Sequence, residues 1–239
     1  MKAIFLADAH LRDPEAPSFR DLLVFFDHLP DDLERLFILG DFFDFWYGYQ
    51  KTVFSVYEPV LEALEKLRDR DIKLTFFAGN HELALGPRLE KLGDCVADHQ
   101  RITLDGRKIF LTHGDYLDPD DYGYHLWRAL IRSRPVAGLI ELLPPTLTWK
   151  IAARLSHRSR NSGSNKKIIP PAVYNRCAAI LKNKQVETII CGHFHQPRRE
   201  TFFLHRPPGK TVYFLGAWEN ERSWLLYSEG RFSFHNFHR

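Results

Sequence analysis

The chain has 239 residues, of which 44% are hydrophobic and 26% charged, so it can bury a full core and is not globally disordered. Three cysteines (Cys95, Cys177 and Cys191) lie far apart without a CxxC pair, which argues against a disulfide framework. No stretch approaches the roughly 20 apolar residues that cross a bilayer, and the apolar start is too short for a signal peptide. We therefore expect a cytoplasmic protein that is soluble or at most peripheral on a membrane.

The net charge of +3 is unevenly distributed along the chain. Between Arg128 and Lys167 there are nine Lys and Arg residues against one acid, Glu141, which leaves a mildly acidic remainder. Such a basic segment can attract phosphate, anionic lipid or nucleic acid. The alternative is a helical face whose charges are simply solvated.

Strands and helices alternate along the first part of the chain. The predicted elements are strands at residues 2–7, 35–39 and 73–78 and helices at residues 17–29 and 53–70. This alternation predicts parallel strands with helices packed on both faces. Residues 101–112 then read as a β-hairpin with a type I′ turn at Asp105-Gly106.

Residues 116–170 break this pattern. They hold three apolar clusters punctuated by prolines, which predict helices of an inserted cap at residues 126–131, 136–143 and 147–155. A helix at residues 171–183 and a strand at 186–191 follow, and the rest alternates in short strands typical of antiparallel sheet. We expect an α/β fold in which residues 1–115 and 171–239 form one domain and residues 116–170 form the cap.

Candidate metal ligands follow five of the predicted strands. They are Asp8 and His10, Asp41, Asn80 and His81, His113, and His193 and His195. In α/β sheets, ligands and reactive groups gather outside the carboxyl ends of strands. Any one cluster alone is compatible with a structural role, such as a helix cap for Asp41. Five clusters at five strand ends predict a metal site.

The types of donor narrow the choice of metal. Mixed carboxylate and imidazole donors suit Mn²⁺, Fe²⁺ or Zn²⁺, whereas Mg²⁺ and Ca²⁺ prefer oxygen throughout. With no cysteine ligand and more than four candidates, a closed structural zinc site is not expected. Two neighbouring ions need a bridging carboxylate together with neutral ligands, and this set contains both.

The five clusters resemble the motifs of calcineurin-like metallophosphoesterases, in that family's order and over residues 1–200. The resemblance implies a four-layer αββα sandwich with two metal ions. It implies that one ion is held by Asp8, His10, Asp41 and His195, and the other by Asp41, Asn80, His113 and His193. Asp41 would bridge the two ions, and His81 would lie beside the phosphate as a general acid or charge stabiliser.

A closer resemblance is to the UDP-2,3-diacylglucosamine hydrolases of lipid A synthesis. It rests on residues 40–48, which are similar to that family's Gly-Asp-Leu-Phe-Glu-x-Trp-x-Gly, and on residues of the expected cap. That family has Gly-Asn-Arg-Asp where this chain has Gly79-Asn80-His81-Glu82. The implied substrate-binding residues are Asp120, Tyr124, Arg128, Arg154, Ser159, Lys166 and Lys167.

The closer resemblance also implies the reaction. The family cleaves the pyrophosphate of a UDP-linked acylated sugar, releasing UMP and a lipid phosphate. It commonly uses Mn²⁺ and acts at the inner face of the cytoplasmic membrane, which here implies peripheral association with an anionic membrane.

Two other interpretations stay open. The first is a metallophosphoesterase acting on another phosphodiester, a nucleotide pyrophosphate or DNA. The basic residues of the cap are interleaved with Leu and Ile, which favours lipid over nucleic acid. The second is a non-catalytic metal-binding scaffold, against which the complete set of ligands counts.

Overall fold

The computed structural model describes residues 1–48, 54–144, 147, 148, 150, 168–203 and 209–238. The strands are β1 (Lys2–Leu6), β2 (Arg35–Ile38), β3 (Trp46–Tyr47), β4 (Lys73–Phe77), β5 (Glu82–Ala84), β6 (Asp94–Val96), β7 (His99–Leu104), β8 (Arg107–Thr112), β9 (Thr188–Cys191), β10 (Arg198–Phe202), β11 (Lys210–Phe214), β12 (Ser223–Ser228) and β13 (Arg231–Asn236). The helices of the described residues are α1 (Pro17–Asp27), α2 (Glu58–Asp69), α3 (Gly86–Glu90), α4 (Tyr122–Ile131), α5 (Arg134–Leu142), α6 (Pro171–Leu181) and α7 (Trp218–Glu221).

The first sheet has six strands in the order β13-β12-β1-β2-β4-β6. Strands β1, β2, β4 and β6 are parallel, and β12 and β13 extend the sheet in antiparallel pairing. The three parallel strands predicted near the start of the chain are confirmed. Strand β6 was not among the predicted elements, because three residues are too few to show a periodic pattern.

The second sheet has five strands in the order β10-β11-β9-β8-β7. The predicted hairpin is confirmed as β7 and β8, and its turn residues Asp105 and Gly106 have φ of 46° and 82°, as a type I′ turn requires. The antiparallel sheet expected after residue 191 is only partly correct for β11. It pairs antiparallel with β10 but parallel with β9.

The two sheets and the helices form four layers. Ile4 and Leu6 of β1 pack in a core with α1 and α2, whereas Ala3 and Phe5 pack in a core with the second sheet. A third core joins the second sheet to α6. The four-layer αββα sandwich is therefore confirmed. The prediction of helices on both faces of the parallel strands is wrong, because the second sheet covers one of the two faces. A strand that is apolar on both faces must be buried on both, but its sequence does not show whether a helix or a sheet covers it.

The helices α4 and α5 lie in the segment predicted as a cap. Helix α4 does not resemble a core helix, since it buries none of its residues. Most of the third predicted cap helix, residues 147–155, lies outside the described residues. Among the described residues, no helix has the length and apolar character needed to span a bilayer.

We expect Phe37→Ala to destabilise the protein by about 3–5 kcal/mol, because it removes a large ring from the core between the sheets. The Phe37 ring is fully buried and stacks on Phe5 with ring centroids 4.8 Å apart. Urea unfolding followed by circular dichroism measures the change. Leu142→Ala is the control, because Leu142 is 82% exposed and its truncation should change stability by less than about 0.5 kcal/mol. Equal stabilities of the two variants would contradict this description of the core.

Candidate metal centre

The predicted metal ligands lie at the carboxyl ends of five strands, as expected, and they converge. Asp8 and His10 follow β1, Asp41 follows β2, Asn80 follows β4, His113 follows β8, and His193 and His195 follow β9. The strands belong to both sheets, so the site lies across the seam between them. All seven residues contribute to two adjoining groups of donor atoms.

The first group contains Asp8, His10 and His195. The Nε2 atom of His195 is 3.1 Å from Asp8 Oδ1 and 3.5 Å from His10 Nε2. Asp8 is completely buried, and its other oxygen, Oδ2, accepts a 2.9 Å hydrogen bond from the backbone N–H of His193. This bond links the two strand ends that supply the group.

The second group contains Asn80, His113 and His193. Asn80 Oδ1 is 3.1 Å from His193 Nδ1 and 3.3 Å from His113 Nε2. The opposite ring nitrogen of His113, Nδ1, donates to the carbonyl of Leu39 at 2.8 Å. With Nδ1 carrying the hydrogen, Nε2 of the neutral ring presents its lone pair to the site.

Asp41 stands between the two groups. Its Oδ1 atom is 3.6 Å from His113 Nε2, and its Oδ2 atom is 3.9 Å from His10 Nε2. The carboxylate is 1% exposed, so water contributes little to its stabilisation. One oxygen of the same side chain therefore faces each group.

The backbone at these positions is in the left-handed region. Five of the seven residues have positive φ: Asp8 (56°), His10 (43°), Asp41 (48°), His193 (70°) and His195 (54°). For residues other than glycine this conformation is uncommon and costs free energy, and it persists only where the surroundings enforce it. The side chains of these five residues thus face one another, and local backbone strain is the cost.

Glu82 holds much of the strained backbone around Asp41 in place. Its buried carboxylate accepts four backbone hydrogen bonds. The donors are the N–H groups of Asp41 (2.9 Å), Phe42 (2.8 Å), Phe43 (3.1 Å) and Gly79 (2.9 Å). Glu82 is absent from the predicted site residues, although an acid three residues after a glycine at a strand end is a recognisable acceptor for unpaired N–H groups.

The acids and imidazoles of the site shift one another's pKa: burial opposes protonation of His113, but Asp41 and Asp8 outweigh it and raise its pKa. Burial opposes the ionisation of Asp41, but His113, His81 and His10 outweigh it and hold the pKa of Asp41 far below its ordinary value. Burial lowers the pKa of His10 to about 3, in spite of the attraction of Asp41. His10 is therefore unprotonated at neutral pH, which is the form that binds metal.

The donor set fits divalent cations. Two groups of side chains, Asp8 with His10 and His195 and Asp41 with His113 and His193, each bring their donor atoms within 4.8 Å of one another. The Nε2 atoms of His10 and His195 lie 3.5 Å apart, so a cation beside them could accept a lone pair from each neutral ring. Carboxylate, amide and imidazole donors without thiolate suit metals of the first transition series.

His81 adjoins this cluster and is partly exposed. Its side chain is 15% exposed, and its Nε2 atom is 3.9 Å from Asp41 Oδ2. Its Nδ1–H donates to the backbone carbonyl of Asp44 at 2.6 Å, which fixes the orientation of the ring. His81 also donates its backbone N–H to Asp41 Oδ1 at 2.9 Å, so it is tied to the carboxylate between the groups.

The predicted substrate residues are placed less uniformly. Asp120 is exposed, and no contact joins its side chain to the metal ligands among the described residues. The Tyr124 hydroxyl and Arg128 Nε both donate to the buried carboxylate of Asp115. The remaining predicted substrate residues lie outside the described part of the chain: Arg154, Ser159, Lys166 and Lys167.

The fold is that of a known class of phosphoesterase. Residues 1–197 match the calcineurin-like phosphoesterase family, and the chain belongs to it. The UDP-2,3-diacylglucosamine hydrolase of Edwardsiella ictaluri is 32% identical over 228 residues, covering 94% of this chain and 88% of that protein. The protein of the same name from Photorhabdus laumondii is 30% identical over 231 residues, covering 93% of each.

Two solved structures share the fold at low identity. An archaeal phosphodiesterase superposes with a TM-score of 0.52 and 12% identity, covering 99% of this chain and all of that one. A dimetal phosphatase from Danio rerio gives a TM-score of 0.51 and 13% identity, covering 99% and 95%. Family membership, together with the hydrolases among its relatives, makes this chain a metal-dependent hydrolase.

We expect Gly79→Ala to abolish metal binding, because a Cβ at this position would lie 2.2 Å from Asp41 Oδ1 and 2.5 Å from the Asp41 backbone nitrogen. The carboxylate has to move, and with it the donor that faces both groups. Manganese content after dialysis against Mn²⁺ measures the loss. The matched control is Gly138→Ala in α5, where an added Cβ meets nothing within 4 Å. Retention of manganese by the Gly79 variant at the control's level would contradict the prediction.

Proposed function

We propose that the chain cleaves the pyrophosphate of UDP-2,3-diacylglucosamine, releasing UMP and 2,3-diacylglucosamine 1-phosphate. The relatives that carry this name align with nearly the whole chain, including the region between β8 and α6. We further propose Mn²⁺ as the metal, which the mixture of carboxylate, amide and imidazole donors supports.

The observation that carries the catalytic part is the position of Asp41 between the two donor groups. Its two oxygens face different histidines, at 3.6 Å and 3.9 Å, which supports a bridging role. Asp8, His10 and His195 would complete one site, and Asn80, His113 and His193 the other. When bound, two such cations supply Lewis acidity toward phosphoryl oxygens and generate hydroxide near neutral pH.

His81 is proposed as the residue that meets the reacting phosphate. Its Nδ1–H is engaged by the Asp44 carbonyl, so Nε2, which lies 3.9 Å from Asp41 Oδ2, is the ring nitrogen left to meet a phosphate at the cluster. In the imidazolium form, Nε2–H can donate a hydrogen bond or a proton to the developing charge on the phosphate. The bond from the His81 backbone to Asp41 keeps that ring beside the cations.

The helix α4 supports the lipid part of the proposal. Its polar side contacts the Asp115 carboxylate next to the metal centre, whereas Leu126 and Leu130 on the same helix are 74% and 54% exposed. Leu139 and Leu142 of α5 are exposed as well. We propose that residues 116–170 form a cap that receives the acyl chains, each buried CH₂ contributing about 0.8 kcal/mol.

The same surface supports peripheral attachment to a membrane. Exposed apolar side chains on α4 and α5 adjoin a segment with nine basic residues and one acid, a combination that favours an anionic lipid surface. We propose that the enzyme works at the cytoplasmic face of the membrane, where a diacylated substrate resides.

One residue favours a second candidate function. His81 stands where the UDP-2,3-diacylglucosamine hydrolases have arginine, and only histidine combines charge stabilisation with proton donation near neutral pH. A phosphodiester whose leaving group needs a proton would profit from this difference. A phosphoesterase with another diester or nucleotide pyrophosphate as substrate is therefore the alternative.

We expect the purified chain with Mn²⁺ to convert UDP-2,3-diacylglucosamine to UMP, because the proposed cations lie beside a surface suited to acyl chains. Liquid chromatography of the nucleotide products measures the reaction. The control substrate is bis(p-nitrophenyl) phosphate, which has no lipid. Hydrolysis of the control without any UMP from the lipid would transfer the assignment to the alternative phosphodiesterase.

We expect His81→Ala to lower kcat about 100-fold or more while both metal ions are retained, because the ring is lost but the proposed ligands are not. Steady-state turnover and metal analysis of the same sample measure the two quantities. His99→Ala, at an exposed position on β7, serves as the matched histidine control. Turnover of the His81 variant equal to that of the control would remove His81 from the mechanism.

A further inference from the structure

The polar side of α4 contacts the loops that carry the metal ligands. Tyr124, Arg128 and Arg132 are spaced four residues apart and therefore share one side of the helix and its C-cap. Tyr124 and Arg128 donate to Asp115, two residues after His113. Arg128 also pairs with Asp98.

Arg132 reaches the other loop. Its Nη2 donates to the carbonyl of Gly79 at 2.7 Å and to the carbonyl of Glu82 at 3.2 Å, and its Nη1 donates to Ala97 at 3.2 Å. The first two carbonyls flank Asn80 and His81 directly. On the inner side, the Glu82 carboxylate holds Gly79 through its N–H. The backbone on either side of Asn80 is thus held by a guanidinium and a carboxylate.

These contacts are the main attachment of α4 to the described domain. The helix buries none of its residues, so little apolar packing fixes its position. Arg132 donates to three backbone carbonyls and its Nη1 also lies 3.6 Å from Asp98 Oδ1, whereas Arg128 pairs with the carboxylates of Asp98 and Asp115.

We infer that α4, through Arg132, is a positioning element for the metal ion held by Asp41, Asn80, His113 and His193. The inference rests on the proposed metal assignment and deepens it. The hydrogen bonds of Arg132 are with the carbonyls of Gly79, Glu82 and Ala97 and not with the side chains of the proposed ligands, so it acts through the backbone that orients Asn80. Because coupling between two sites is reciprocal, binding of metal must in turn restrain α4.

The test compares metal binding by the full chain and its variants. We expect Arg132→Gln to weaken the affinity for one of two Mn²⁺ ions about 10-fold to 100-fold, as is usual when an outer partner of a metal ligand is lost. The affinity for the other Mn²⁺ ion should stay within about 2-fold of the wild-type value. Arg132→Lys should bind the weakened ion with an affinity between those of Arg132→Gln and wild type. Isothermal titration calorimetry of metal-free protein with Mn²⁺ resolves the two affinities, and thermal unfolding establishes that the variants are folded.

Arg70 offers a matched control. It follows α2 as Arg132 follows α4, and its Nη2 likewise donates to a backbone carbonyl, that of Leu29, at 2.7 Å. Arg70→Gln should lose stability in a similar way but bind both Mn²⁺ ions as wild type does. A general structural effect would move both variants alike, whereas a positioning role moves only Arg132.

Hydrogen exchange gives a second readout. In wild type, amides of α4 should exchange more slowly once Mn²⁺ is added, and Arg132→Gln should lose that protection. Wild-type affinities in both Arg132 variants, with α4 exchange indifferent to Mn²⁺, would overturn the inference and leave the proposed function standing. No Mn²⁺ binding by wild type would overturn both.

Discussion

The left-handed backbone at the strand ends is the constraint on which the rest of the site depends. Aspartate and histidine side chains can meet across two sheets only if the chain turns sharply after β1, β2 and β9. Such turns leave backbone N–H groups directed into the protein, where each needs an acceptor. Glu82 accepts three of them after β2 and a fourth N–H after β4, and the Asp8 carboxylate accepts one after β9, so these acids satisfy backbone donors as well as shaping the site.

Local patterns carried much of the fold. Short apolar runs and amphipathic stretches of the sequence predict β1, β2, β4, α1 and α2. Such elements can be predicted because the residues that they bury are neighbours in the sequence or recur at helical spacing. The packing of the second sheet on the first followed only from the family resemblance and not from local pattern, since β1 is apolar on both faces whatever covers them. Short pieces such as β3, β5 and β6 exist through their neighbours and have no pattern of their own.

The site also has a part that could be predicted from the sequence and a part that could not. Residues of metal-binding type at strand ends can be recognised in the sequence, and the carboxyl ends of parallel strands lie at one edge of the sheet. Their convergence could therefore be predicted. The supporting contacts join residues about 40 to 50 apart, such as Glu82 to Asp41 and Arg132 to Gly79, and no local pattern announces them. The contacts of Tyr124 and Arg128 with Asp115 were not predicted either, whereas their substrate-binding role stays a prediction. Residue type alone does not reveal which protein groups a polar side chain contacts.

Strand β1 lies between β2 and β12, and this has a consequence for biosynthesis. Phe5 pairs with Phe37 on one side but with Leu225, about 220 residues further along the polypeptide, on the other. While the ribosome is still translating, one edge of β1 therefore stays unpaired and open to wrong partners. The nascent protein can therefore pair both edges of β1, and form the metal centre at its end, only after almost all of the described chain has emerged.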